Sequence, residues 1–286
     1  MQCAHPLLTL LALLTAGWLF PLQALHAATF ADADSLTQQP PGPPAIGDTI
    51  WTDVKESAED AVLLFSRPAR FDRTDWLLAG GSVAATGLGM TADGWMRDRF
   101  RGFHSTAMDR ATDAGNYYGT PLPAAIVAGG LYLTGLVFDN SGVRRAGRHV
   151  VQSALYAGII TVTLKTILGR HRPMLNQGPF VYSGPTVNDD FNSLPSGHTT
   201  LAFALSSALA ADIDNAWASV GLYGVATLTA ASRIYADRHW FSDTILGAVI
   251  GTACGYGVVH LHDPESKRTG LLLYPTINGI GATYRF

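Results

Sequence analysis

The chain has 286 residues, 48% of them hydrophobic and 14% charged, with a formal net charge of −3. It is too apolar for a disordered chain and low in charge for an ordinary soluble domain, so a membrane or a large buried helical core is the first expectation. The near-neutral balance offers no basic field to phosphate backbones, which excludes nucleic acid as a partner.

Residues 7–22, LLTLLALLTAGWLFPL, form an apolar run followed by ALHAAT. Those small residues suit a signal peptidase, so residues 1–27 are expected to be a signal peptide cleaved after Ala27. The leading MQCAHP lacks Lys and Arg, which leaves an uncleaved anchor as the alternative. With the leader removed, Cys254 is the sole cysteine, so neither an intramolecular disulfide nor a cysteine metal cluster is expected and the thiol reads as a small core residue.

Residues 28–50 contain DSLTQQPPGPPAIGD, an extended Pro-rich tether. Within 51–75, Val54, Ala58, Ala61, Val62 and Phe65 share one stripe, which predicts a short amphipathic lead-in helix docked by that stripe on the domain that follows. Across 76–262 come six apolar stretches, Trp76–Met90, Leu122–Phe138, Val150–Leu168, Thr199–Ala211, Ala216–Ala231 and Thr244–Val259. Several fall short of the roughly 20 residues that span a bilayer, and all are dense in small residues, as closely packed helices require. Gly247, Gly251 and Gly255 repeat every four residues and predict a face where the last helix approaches a neighbour. In 263–286 the period changes around Asn278-Gly279, which predicts a terminal β-hairpin. The fold class is therefore all-α, a six-helix bundle with a short C-terminal β-hairpin.

Three polar clusters interrupt the apolar runs. KTILGRHRP places Lys165 and Arg172 seven residues apart at the C-terminal end of the third stretch. LPSGHTT places Ser196, Gly197 and His198 at the start of the fourth. SRIYADRHWFSD places Arg233, His239 and Asp243 between the fifth and sixth. If the helices alternate up and down, all three clusters meet on one face of the bundle.

Their chemistry follows from residue type. Lys165, Arg172 and Arg233 are three cations, and the arginines carry forked donors suited to phosphate oxygens. Amides at a helix start around Ser196 and Gly197 add dipolar donors, with Gly allowing close approach of a tetrahedral anion. His239 and Asp243 are spaced i, i+4, so one helical turn can bring the carboxylate to one ring nitrogen and leave the other free to attack phosphorus. His198, at the helix mouth, is placed to protonate the leaving oxygen.

The pattern Lys165-x6-Arg172-Pro173, Pro195-Ser196-Gly197-His198 and Ser232-Arg233-x5-His239-x3-Asp243 resembles the type 2 phosphatidic acid phosphatase family, whose signature is shared by class A acid phosphatases and vanadium haloperoxidases. The motifs match in order, without gap or substitution. The resemblance implies the helical bundle of that family and a phosphohistidine intermediate on His239, hydrolysed by water. Lys165, Arg172, Ser196, Gly197 and Arg233 would hold the phosphoryl oxygens. It implies no metal and no cofactor, with vanadate acting only as an inhibitor or phosphate mimic; the sequence has no cluster with metal-ligand spacing elsewhere.

The expected activity is hydrolysis of lipid phosphomonoesters or pyrophosphates, of phosphatidate or polyprenyl diphosphate type. The alternatives are a soluble periplasmic acid phosphatase of broad specificity, a vanadium haloperoxidase and a non-catalytic envelope protein. The expected partner is a phosphorylated lipid or small phosphoester, and the expected place is the bacterial envelope, membrane-associated with the site facing the periplasm. A cleaved leader and six spans would instead turn the site to the cytoplasm. An outward site returns if Trp76–Met90 does not span, which also puts Arg144, Arg145 and Arg148 in an inner loop.

Specificity is expected from the loops 92–118 and 174–193, through Phe180, Tyr182 and Phe191. Arg170, His171 and Arg238 adjoin motif positions and are expected at the surface or behind the site; for His104, His149, His260 and His262 the sequence suggests no partner.

Overall fold

A computed structural model describes residues 45–262, 270–276 and 279–285, so the expected leader and most of the tether lie outside the described residues. The chain is mostly helical, with α1 (Ile46–Ser66), α2 (Arg73–Arg101), α3 (Thr106–Tyr118), α4 (Pro121–Val137), α5 (Ser141–Leu168), α6 (Gly197–Ile213), α7 (Ala216–Tyr235) and α8 (Phe241–Val259). The strands Gly270–Thr276 (β1) and Gly279–Arg285 (β2) pair antiparallel, Tyr274 opposite Gly281.

The helix boundaries follow from caps. Asp72 accepts from the Asp75 amide, and Asp75 returns a carboxylate to the Asp72 amide, so α2 begins with a reciprocal box. Asn140 accepts from the Val143 amide at the start of α5, and Asn215 from the Trp217 and Ala218 amides at the start of α7. Gly169 ends α5 in the left-handed region at φ 62°.

Each of the six apolar stretches lies on a helix and the expected lead-in is α1; the eighth α-helix among the described residues, α3, is the addition. The segment 92–118, expected as a loop, is mostly helical: α2 runs on to Arg101 and α3 follows. Charged residues end the apolar run at Met90 without ending the helix, because Asp93 pairs with the buried Arg170 and Arg97 with the half-buried Asp237.

The lead-in helix α1 also departs from expectation. Ala61 and Leu64 reach the core, yet Val54, Val62 and Phe65 are exposed. Two buried acids set the rotation instead. Asp53 pairs with Arg144 and Arg148 of α5 and accepts from Tyr132, and Asp60 accepts from Gln152 and pairs with His262.

The core centres on α6. One cluster joins Tyr156, Ala157, Ala204, Ile250, Cys254 and Val258; another joins Ala124, Ala128, Val150, Leu205 and Ala208. The glycine stripe of α8 faces α6: a Cβ at Gly247, Gly251 or Gly255 would lie 2.7, 2.4 or 2.6 Å from the carbonyl oxygen of Ser196, Thr200 or Ala204. The helices meet backbone to backbone, so the start of α6 and the start of α8 are held together.

Outside, the bundle is apolar. Trp76, Leu77, Leu88, Leu122, Leu133 and Leu155 are all more than half exposed, an arrangement that water penalises and lipid does not. Ser141–Leu168 and Phe241–Val259 are long and apolar enough to cross a membrane, and Thr106–Tyr118 with Pro121–Val137 makes a third candidate bent by 55°.

Candidate active site

The three motifs converge at one end of the bundle. Lys165 in the last turn of α5 donates to the carbonyl of Asn192 at 2.5 Å. The left-handed turn at Gly169 then redirects the chain so that Arg172 can donate to the Asp189 carbonyl at 2.7 Å and its carboxylate at 2.6 Å. Nε and Nη2 are thereby engaged, which leaves Nη1 without a bond among the described residues. The Leu194-Pro195 bond is cis, and Gly197 stands beside Lys165, where an added Cβ would make ordinary contact at 3.7 Å from Lys165 Cε.

Ser196 caps α6 from a fully buried position. Its amide donates to the Asp243 carbonyl at 3.0 Å, so it is engaged rather than free as the sequence suggested. The amides of Gly197 and His198, the next donors of α6, have no partner among the described residues.

His239 is 3% exposed and sits in the short connection between α7 and α8. Because it precedes α8, no helical turn links it to Asp243. Its Nδ1 lies 2.8 Å from the Ser193 carbonyl and 3.5 Å from the Asp243 carboxylate, so the carbonyl is the main partner. A carbonyl oxygen can only accept, which places the proton on Nδ1 and leaves the Nε2 lone pair free. Burial drives the ring's pKa down to about 3 against the pull of Asp243, so the nucleophilic form is the resting form.

Arg233, at the end of α7, donates to the side-chain oxygen of Asn116 from α3, while its buried Nε has no partner. An orphaned guanidinium N–H in a buried site is a donor aimed at an anion. His198 lies among Arg233, Lys165 and Arg172, and burial plus those cations lowers its pKa to about 4. The site is thus strongly electropositive around two uncharged imidazoles.

A match to the family model described as PAP2 superfamily covers residues 147–267, which contains every one of these side chains except Asn116. Residues 147–267 are thus similar to the PAP2 superfamily. A 66-residue stretch is 44% identical to a lipid A 1-phosphatase of Porphyromonas gingivalis, a match spanning 22% of this chain and 15% of that relative. Among solved structures, the chain is similar to Aquifex aeolicus LpxE (20% identity, 58% of this chain and 94% of that one, TM-score 0.45). It is also similar to a transmembrane PAP2-type phosphatidylglycerolphosphate phosphatase of Bacillus subtilis (17% identity, 76% and 98% covered, TM-score 0.47).

Several residues that build the site carry no motif. Ser193 supplies its carbonyl to His239 and its hydroxyl to Asp243; a backbone partner leaves no residue-type signal. Arg97 grips Asp237 with two bonds of 2.6 and 2.7 Å and lies over the Trp240 ring, which ties α2 to the connection bearing His239. Arg170 is fully buried, not at the surface. Phe191 is stacked on His171, which leaves Phe180 and Tyr182 as the exposed aromatics of the 174–193 loop.

Gly119, which ends α3, backs directly on His198: a Cβ there would come within 2.9 Å of the His198 Cβ and carbonyl oxygen and 2.5 Å of a Thr229 methyl. Gly119→Ala is expected to lower turnover about 10- to 100-fold by moving His198, since displacements near 1 Å carry costs of that order. Steady-state kinetics of the purified variant, with circular dichroism to confirm its fold, checks it.

Proposed function

We propose that this PAP2 domain hydrolyses phosphate monoesters or pyrophosphates of envelope lipids by way of a phosphohistidine on His239. The observation that carries the reading is an oriented, uncharged His239 imidazole beside Lys165 and Arg172, with His198 among those cations and Arg233, at the polar end of a bundle whose exterior is apolar.

In the first step the Nε2 lone pair of His239 forms a bond to phosphorus and the bond to the leaving oxygen breaks. Lys165, Arg172, Arg233 and the amides of Gly197 and His198 hold the three other oxygens, and their charge stabilises what develops there. His198 gives its proton to the leaving oxygen. Water then attacks phosphorus, His198 takes a proton from it, the P–N bond breaks, and inorganic phosphate departs. Throughout, Nδ1 keeps its proton on the Ser193 carbonyl. With three cations serving the phosphoryl group, the scheme calls for no metal ion, and turnover is expected to survive chelators.

His198 must carry a proton to act as acid, yet with the site free of anion it is protonated only below about pH 4. A bound dianion offsets Arg233, Lys165 and Arg172, so its arrival raises the affinity of His198 for a proton. Anion binding near pH 7 is therefore expected to take up close to one proton and to tighten as pH falls. Calorimetry with tungstate, a tetrahedral dianion that does not titrate near neutrality, in buffers of different ionisation enthalpy reads that uptake, and His198→Gln should abolish it.

Membrane placement is supported by the two long apolar helices, α5 and α8, which present Lys165 and Asp243 at the same end. Arg144, Arg145 and Arg148 occupy the opposite end of α5, roughly 25 to 32 Å from Lys165. Cations on the cytoplasmic side would turn the site to the periplasm. A lipid substrate is supported by the apolar surface around the site and by the stretch shared with a lipid A 1-phosphatase.

The test is phosphate release, with and without a chelator, from micellar phosphatidate, lipid A 1-phosphate, a polyprenyl diphosphate and a soluble aryl phosphate. Preference for the lipids supports the proposal. Equal or better turnover of the aryl ester overturns the lipid assignment in favour of a broad-specificity phosphatase.

A further inference from the structure

Behind His239 lies a second layer of charge that the phosphatase motifs do not include. Arg170 donates through Nη1 to Asp243 Oδ1 at 2.6 Å and to the Ser242 hydroxyl at 2.7 Å, and through Nη2 to Asp93 Oδ2 at 2.7 Å. Asp93 also accepts from the Ser242 amide at 2.8 Å and hydroxyl at 2.7 Å. The side chains of Arg170, Asp93 and Asp243 are all 0% exposed.

Every oxygen of both carboxylates faces donors. Asp93 receives an amide, a hydroxyl and a guanidinium, and Asp243 receives the guanidinium, the Trp240 amide at 2.8 Å and the Ser193 hydroxyl. The amide and guanidinium donors favour the anion at both acids, at Asp93 against the burial that pushes its pKa up. One guanidinium then faces two carboxylates, and the dehydrated cluster carries one uncompensated negative charge.

We propose that Arg170 and Asp93 are positioning residues whose surplus negative charge, transmitted through Asp243, is neutralised only when the His239 ring becomes cationic. The inference rests on His239 as the attacking group. When Nε2 bonds to phosphorus and the leaving oxygen departs, the ring keeps its Nδ1 proton and takes on a positive charge. The cluster and ring together are then neutral. A charge preorganised in a dry site acts on the transition state more than on the resting enzyme, because no solvent reorganises to screen it. Lys165, Arg172 and Arg233 are balanced by the phosphoryl oxygens they hold.

Charge and scaffold make opposite predictions for a double substitution. Asp93→Asn removes the surplus charge at nearly constant volume and is expected to lower kcat about 10- to 100-fold, with KM and tungstate affinity within about twofold of the parent. Adding Arg170→Gln to Asp93→Asn restores one uncompensated negative charge on Asp243, and is expected to regain most of the lost kcat. If the network were merely a scaffold, the double variant would be slower than Asp93→Asn, or tungstate binding would fall in step with turnover; either result overturns the proposal. His239→Ala measured alongside separates the two levels: retained turnover there would refute His239 as nucleophile whatever the network variants do.

Discussion

Replacing His239 by alanine is expected to reduce phosphate release by at least about 10⁴-fold, the scale on which loss of a nucleophile in a preorganised site is felt. The protein should still fold and bind tungstate, because the cations of the anion pocket come from Lys165, Arg172 and Arg233 on other segments. Asp243→Asn should cost less, about 10²-fold. Its carboxylate is 3.5 Å from the ring, whereas the Ser193 carbonyl at 2.8 Å fixes the tautomer by itself. Where a carboxylate alone fixes the tautomer, losing it has cost as much as 10⁴-fold. Turnover numbers for both variants, at saturating substrate, check the ranking.

Gly169→Ala is expected to have the largest effect on stability, about 3 kcal/mol or more. The left-handed conformation at φ 62° costs a residue with a Cβ roughly 1–2 kcal/mol, and the new atom would lie 2.0 Å from the Gly184 carbonyl oxygen. To make room, the strand-like return of the loop must move and give up the bond from the Ser183 amide to the Gly169 carbonyl at 2.8 Å. Thermal unfolding should fall by about 10 °C, and activity should fall with it, since the same turn sets Arg172 against Lys165. Gly178 provides the control. Its φ is 95°, but nothing lies within 4 Å of an added Cβ, so Gly178→Ala should cost only the backbone strain.

The polar clusters were legible because they interrupt apolar runs at helix ends, and because cations, a helix start and a histidine are chemically telling in any order of assembly. The apolar stretches likewise marked helices, since burial in α6 and exposure on the outside of α5 both demand hydrophobic residues. What escaped was whatever depends on tertiary contact alone. Asp93 and Asn116 fall in a segment that read as loop because charges broke its apolar pattern, and their partners lie far away in sequence. The rotation of α1 is hidden for a related reason: Val54, Val62 and Phe65 look like a buried face until Asp53 and Asp60 find cations and an amide on α5. Gly119 carried no signal, because only the folded chain brings it behind His198.

The stereochemical course at phosphorus tests the central claim most directly. A thiophosphate monoester made chiral with oxygen isotopes is hydrolysed in isotopic water, and the configuration of the released thiophosphate is read. Attack by His239 followed by attack of water inverts phosphorus twice, so the account predicts net retention. Net inversion would mean that water displaces the leaving oxygen directly, and would contradict it.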